Sequence, residues 1–167
     1  MQPDRFTAKS QEAVAAAQQL ATARRNPEVM PVHLLVSLLV QEDGLIAPIL
    51  QKLGTDPAAV GARAHESVDA LPTLSDGAEP RMSSALAQTL RQAEKEMAKL
   101  DDEYISTEHL LLALVESSPD AAAALPGRTS LEEAIGEVRG PHKVTSPNPE
   151  DSVQALEKFG RDLTSEA

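Results

Sequence analysis

The sequence predicts an all-α fold built from a duplicated helical unit, and three observations carry that prediction. PVHLLVSLL at residues 31–39 returns as TEHLLLALV at 107–115, with an offset of 76 residues that also aligns Phe6 with Met82, Thr7 with Ser83, Ala17 with Ala93 and His33 with His109. Self-similarity at a fixed period is the mark of repeated supersecondary units. Apolar residues then recur at helical spacing along most of the chain. Finally, Phe6, Tyr104 and Phe159 are the only aromatic residues and Trp is absent, while Ala and Leu fill the patterned segments. Such a composition favours closely packed helices over sheets.

The first helix runs from Thr7 to about Ala23, with Ala13, Val14, Ala17 and Leu20 on one face. Arg24, Arg25 and Asn26 follow, where positive charge and Asn suit the exposed carbonyls of a helix end. Pro31 occupies the first position of a second helix, and Val32 to Val40 continue as an apolar run that should be buried. Ile46 to Leu53 forms a short third helix with Pro48 in its first turn. Asp56 and Pro57 start a fourth that reaches about Ala70.

Residues 71–80 hold Pro72, Gly77 and Pro80 among polar neighbours, a connector composition. Repeat one therefore spans about 1–70 and repeat two about 81–140, together one domain over 1–140. In the second repeat, Ser83 or Ser84 caps a helix carrying Leu86, Leu90, Ala93, Met97 and Leu100 on one face, and Ser106 caps the next. Ser130 begins a last helix that Gly140 and Pro141 end. Between Ser117 and Thr129 the unit is shortened, with Pro119, Pro126 and Gly127 standing where the first repeat has its third helix. The segment PHKVTSPNPE at 141–150 has three prolines and almost no apolar surface, so it reads as a flexible linker. Helical pattern resumes over 151–167, as expected of a segment leading into a further domain.

Composition excludes several functions. A net charge of −11 opposes nucleic acid and anionic membrane surfaces, both of which need clustered Lys and Arg. The absence of Cys removes disulfide and thiolate chemistry and fits a reducing cytoplasm. MQPDRFTAKSQ contains neither a signal peptide nor a membrane span. No G-x-x-x-x-G-K-[ST] loop occurs, so no nucleotide cofactor is assigned to these residues.

The stretches DRFT at 4–7, PVHLLVSLL, YISTEHLLLALVE at 104–116 and ALEKFGRDLTSEA at 155–167 resemble the N-terminal double Clp repeat of the Clp AAA+ ATPases, most closely the ClpB disaggregase branch. That resemblance implies two pseudo-symmetric repeats of about four helices each. It implies a substrate-binding domain that weakly captures unfolded or aggregated protein for threading by an ATPase ring further along the same chain. ATP and Mg would belong to the parent protein, expected to be a hexamer and open to a co-chaperone, whereas the isolated domain should be a monomer without enzymatic activity. An alternative is the adaptor-docking domain of a protease-coupled Clp unfoldase.

His33 and His109 stand at equivalent positions in the first turns of helices, with no second ligand at metal spacing; a histidine hydrogen-bonded near a helix start is the simpler expectation. Glu108 beside His109 has no visible nucleophile to serve, so a stand-alone hydrolase is the third reading. The resemblance implies that Thr7, Asp102 and Glu108 engage polypeptide. Thr7 also suits an N-cap, and Glu108 a first helical turn, where its charge complements the dipole. The expected site lies along the repeat junction, with these three at a polar rim, Tyr104 and Leu90 as floor candidates, and Gln92 and His109 as polar interruptions.

Overall fold

The computed structural model describes residues 5–149; the helix expected over 151–167 lies outside them. Eight helices are present among these residues: α1 (Ala8–Ala23), α2 (Pro31–Leu39), α3 (Ile46–Lys52), α4 (Pro57–Asp69), α5 (Ser84–Lys99), α6 (Thr107–Ser117), α7 (Pro119–Ala124) and α8 (Arg128–Arg139). Two helices of the centre, α2 and α6, hold the repeated His-Leu-Leu segments. Pro31 through Leu38 are all buried, and Leu34, Leu35, Leu38, Leu110, Leu111 and Leu114 are at most 1% exposed. A helix apolar on every side has to lie inside. Each fully buried leucine contributes about 1.5–3 kcal/mol from removal of apolar surface from water.

The outer helices cover this pair in a twofold pattern. Helix α1 lays Ala13, Ala17 and Ala21, each 0% exposed, toward α2, and α5 packs on α6 through Leu86, Leu90, Ala93 and Met97. At the far side α3 meets α8 and α4 meets α7. The repeats also exchange short pieces of strand. β1 (Glu28–Val29) and β2 (Arg81–Met82) pair in parallel with Val29 opposite Met82, and Phe6 forms an isolated bridge with Ile105. Moved by 76 residues, Val29 becomes Ile105 and Phe6 becomes Met82. The same contact is therefore made twice, each repeat's lead-in segment lying on the other repeat.

Two expectations need correction. The second repeat is shortened as expected, with residues 118–127 between α6 and α8 against 40–56 between α2 and α4, but the loss falls on the connections: α7 keeps six residues against seven in α3. Pro119 sits at its first position, where no N–H bond is lost, and Ser118 Oγ accepts from Ala121 N at 3.3 Å. The last helix starts at Arg128, capped by Gly127, rather than at Ser130. The two added residues bring the Arg128 guanidinium to Glu96 of α5, at 2.6 Å.

Residues 141–148 carry no helix or strand, as a linker composition implies, yet they lie against the body. Val144 is 3% exposed, its carbonyl accepts from Glu103 N at 2.8 Å, and Pro147 O accepts from Ala8 N at 2.8 Å. Val144 is the little apolar surface the segment has, and hydrogen bonds from the body supply the rest. No helix among the described residues is long and apolar enough to cross a membrane.

Candidate functional site

Helices α1 and α5 end alike, and their ends build two related polar centres. After each helix a non-glycine residue turns left-handed, Arg25 at φ 57° and Asp101 at φ 59°. Arg25 N then reaches Thr22 O and Asn26 N reaches Ala21 O; Asp101 N reaches Ala98 O and Asp102 N reaches Met97 O, at 2.9–3.1 Å. This paired closure ties off the last carbonyls and throws the next side chain back across the helix end. Those side chains are Asn26 and Asp102, and both meet a histidine. Asn26 Oδ1 lies 2.8 Å from His33 Nε2, and Asp102 Oδ2 lies 2.7 Å from His109 Nε2.

Both histidines also cap their own helices. His33 Nδ1 accepts from Met30 N and His109 Nδ1 from Ser106 N, each at 2.8 Å. An Nδ1 that accepts leaves the hydrogen on Nε2, which then donates to Asn26 or Asp102. The imidazole does at the third helical position what Glu or Gln does in a capping box. A hydrogen-bonded histidine at a helix start, expected from the sequence, is what both repeats contain. Burial, and then the charge of Arg24, lower the His33 pKa to about 4 despite the bond to Met30.

The second centre differs by a buried ion group. Arg139, at the end of α8, donates in a fork to Asp102, Nη1 to Oδ2 and Nη2 to Oδ1, both at 2.8 Å. Val144 N donates to Asp102 Oδ1 at 2.9 Å, and Arg139 Nη2 also reaches His142 O at 2.9 Å. Burial alone would raise the Asp102 pKa, but the bonds from His109, Arg139 and Val144, with the Arg139 charge, hold it well below the usual carboxylate range. Arg139 is raised in turn, because Asp102 and Glu108 outweigh its own burial. Glu108 stands 3.4 Å from Arg139 Nε through Oε2, while its buried Oε1 has no hydrogen-bond partner among the described residues.

The sequence places Thr7, Asp102 and Glu108 at an open rim, and the structure places them inside, at 0%, 7% and 2% exposure. It brings Asp102 and Glu108 together around Arg139. Thr7 is apart from them, its Oγ1 accepting from Ser10 N at 3.2 Å as the cap of α1. Burial follows from what each side chain satisfies: a helix N–H for Thr7, and a guanidinium for the two carboxylates. Arg139 escaped the sequence reading. Its signal is indirect, an arginine in the last turn of a helix directly before Gly140-Pro141.

A groove does exist at the repeat junction, with other walls. Phe6, Gln11, Val14, Ala15 and Gln18 from the first repeat, and Met82 and Leu90 from the second, enclose about 340 Å³ between α1 and α5. Leu90 is in place as expected; half-buried Tyr104 is not among the lining residues, and no carboxylate is. His109 is buried elsewhere and Gln92 is bonded to Glu96 Oε2, so neither interrupts the groove. Met82 is 54% exposed, unusual for a large apolar side chain here. The missed wall residues had a signal in the repeat itself: Phe6 and Met82 are equivalent, each directly before a helix cap.

Comparison with known proteins gives this arrangement a context. The family described as Clp repeat (R) N-terminal domain matches residues 5–127. The chaperone protein ClpB of Mycobacterium tuberculosis is 41% identical over 166 residues, covering 96% of this chain and 20% of that protein. The chain thus spans about a fifth of the length of the curated relatives it matches. The crystal structure of the Hsp104 N-terminal domain from Candida albicans superimposes with a TM-score of 0.76 at 20% identity, covering 85% of this chain and 96% of that one. A ClpV N-domain solved in complex with a VipB peptide gives 0.64 at 18% identity, covering 80% and 86%; at such identities the likeness concerns the fold.

Proposed function

The chain belongs to the Clp repeat N-terminal domain family, and from that premise we propose that it is the polypeptide-capturing domain of a ClpB-type disaggregase in the cytoplasm. It holds unfolded or aggregated protein weakly for an ATPase ring of the same protein. The observation that carries this reading is the apolar groove at the repeat junction, open at Met82 and free of charged walls. Apolar contact attracts without direction or sequence, which is what a site for many unfolded segments requires. Affinity at such a site is expected in the micromolar to millimolar range, on the order of 4–8 kcal/mol.

Thr7, Asp102 and Glu108 serve the site from behind. Thr7 caps the helix that carries Val14 and Ala15, and Asp102 fixes the turn between α5 and α6. Tyr104 precedes Ile105, the bridge partner of Phe6, and so adjoins the Phe6 end. On this reading ATP and Mg bind in the ATPase domains of the whole protein, a hexamer served by a co-chaperone, and the domain itself catalyses nothing.

A second reading, docking of one adaptor, draws on the ClpV N-domain solved with a peptide. Titration of isotope-labelled chain with a reduced, carboxymethylated unfolded protein separates the two. Capture predicts shift changes at Val14, Ala15, Met82 and Leu90, and Met82→Ser should weaken binding about threefold to tenfold without changing the fold. Changes confined to α3, α4 and α8 would put the site elsewhere. Saturation by a single peptide sequence, with no response to unfolded protein, would favour the adaptor.

A further inference from the structure

We propose that the groove between α1 and α5 accepts an apolar, extended polypeptide segment in either chain direction. The inference rests on the reading of that groove as the polypeptide site, and it is carried by the repeat symmetry of the walls. The 76-residue offset converts Phe6 into Met82 and Val14 into Leu90, so four of the seven lining residues form two related pairs. Helices α1 and α5 are both 16 residues long, capped by the equivalent Thr7 and Ser83. They run in opposite senses across the groove, because Arg5 Nη2, just before α1, lies 3.9 Å from Met97 Sδ in the last turns of α5. A rotation that exchanges the repeats therefore maps these two pairs onto each other, while the equivalents of Gln11, Ala15 and Gln18 are Ala87, Arg91 and Glu94, which lie outside the lining. It replaces an apolar side chain by an apolar one at both paired positions.

A polypeptide reveals its direction through the order of its N–H and C=O groups, so a site reads direction only with fixed donors and acceptors of its own. Two backbone amides beside the groove are already engaged: Thr7 N donates to Ile105 O at 3.0 Å and Ser83 N to Val29 O at 3.2 Å. The polar walls are Gln11, whose Nε2 already donates to Phe6 O at 3.0 Å, and Gln18, whose amide group can donate and accept and so suits either order. Remaining contacts are apolar and non-directional. The asymmetry that persists is in exposure, Met82 at 54% against Phe6 at 5%, and methionine is the side chain that adapts most readily to either occupant.

The test uses the intact chain, which has no Cys and so takes no stray label. The probe is a peptide with a Leu- and Val-rich centre and Ser-rich flanks, blocked at both ends, with a nitroxide on a single cysteine near either its N-terminus or its C-terminus. Each labelled peptide should broaden resonances around both Phe6 and Met82, with the two ends within about tenfold of one another in population. Broadening at one end only, which switches ends when the nitroxide is moved, would overturn bidirectional binding while leaving the groove in place. A peptide that binds without shifting Val14, Ala15 or Leu90 would overturn the groove reading, and this inference with it.

Discussion

The two repeats solve one problem with different chemistry. Each must fasten the end of its first helix to the start of its second. The first uses Asn26 on His33, a neutral pair in which Asn26 Nδ2 also donates to Pro72 O at 3.0 Å. The second uses Asp102 on His109, and the carboxylate brings Arg139, Glu108 and the 142–147 segment with it. Both centres thus hold the chain that follows their repeat, Asn26 through Pro72 O and Asp102 through Val144 N, and the difference between Asn and Asp decides whether a third helix is gathered through the cation of Arg139. A buried charge cannot stand unpaired, so the fold around it must supply a partner.

The strongest way to break this comparison is to remove the partner. Arg139→Met should leave Asp102 and Glu108 buried without their cation and cost about 3–5 kcal/mol, read from urea unfolding. A loss below about 1 kcal/mol would mean that the ion group is not what holds the second repeat. Asp102→Asn makes the second centre chemically like the first. It should cost about 2–3 kcal/mol, since Arg139 loses its fork but retains Glu108. Hydrogen-exchange protection of the Val144 and Glu103 amides should fall with it. Unchanged protection there would show that the 142–147 segment is held by other contacts.

Acid should then separate the repeats without mutation. The folded-state pKa of His33 lies below its unfolded value, about 4 against about 6.5. The unfolded chain therefore takes up the proton first, and stability is full above about pH 6.5 and falls as the pH drops toward 4. At pH 5 the loss is about 2 kcal/mol. Asp102 is shifted the other way: its contribution is present above the unfolded carboxylate value near 3.9 and declines only below it. Between pH 6.5 and 5 the first centre weakens while Asp102 holds. His33→Gln, which can still cap at the third helical position, should flatten that part of the pH profile.

The smaller effects sharpen the parallel between the caps. Ser83→Ala should cost about 1–2 kcal/mol, because Ser83 Oγ both accepts from Leu86 N and donates to Val29 O across the repeats. Thr7→Ala should cost about 1 kcal/mol, because Thr7 Oγ1 accepts from Ser10 N and donates to Ser10 Oγ, both within the first turn of its own helix. Equal losses would argue that the cross-repeat bond adds nothing. Asp101→Gly should stabilise slightly, by about 0.5 kcal/mol, as glycine relieves the left-handed turn at φ 59° but loses more chain entropy on folding.

Much of this was legible in the chain because its physics is local. The repeat, the buried His-Leu-Leu helices, the Thr7 cap and a serine cap at 83 or 84, Pro31 and Pro57 at first helical positions, and the histidine bond at each helix start all depend on residues within a few positions of one another. Hydrogen bonding and side-chain spacing within a helix are fixed by those neighbours, so the sequence alone determined them. The rest was decided by residues far apart. Asp102 finds Arg139 at a separation of 37 and Val144 at 42, and with those partners Asp102 and Glu108 belong to the interior, whatever their charge suggests about a surface. The groove has the same origin. Phe6 and Met82 become its ends only when each lead-in segment crosses to the opposite repeat, a pairing whose free energy exists only once both repeats are folded against each other.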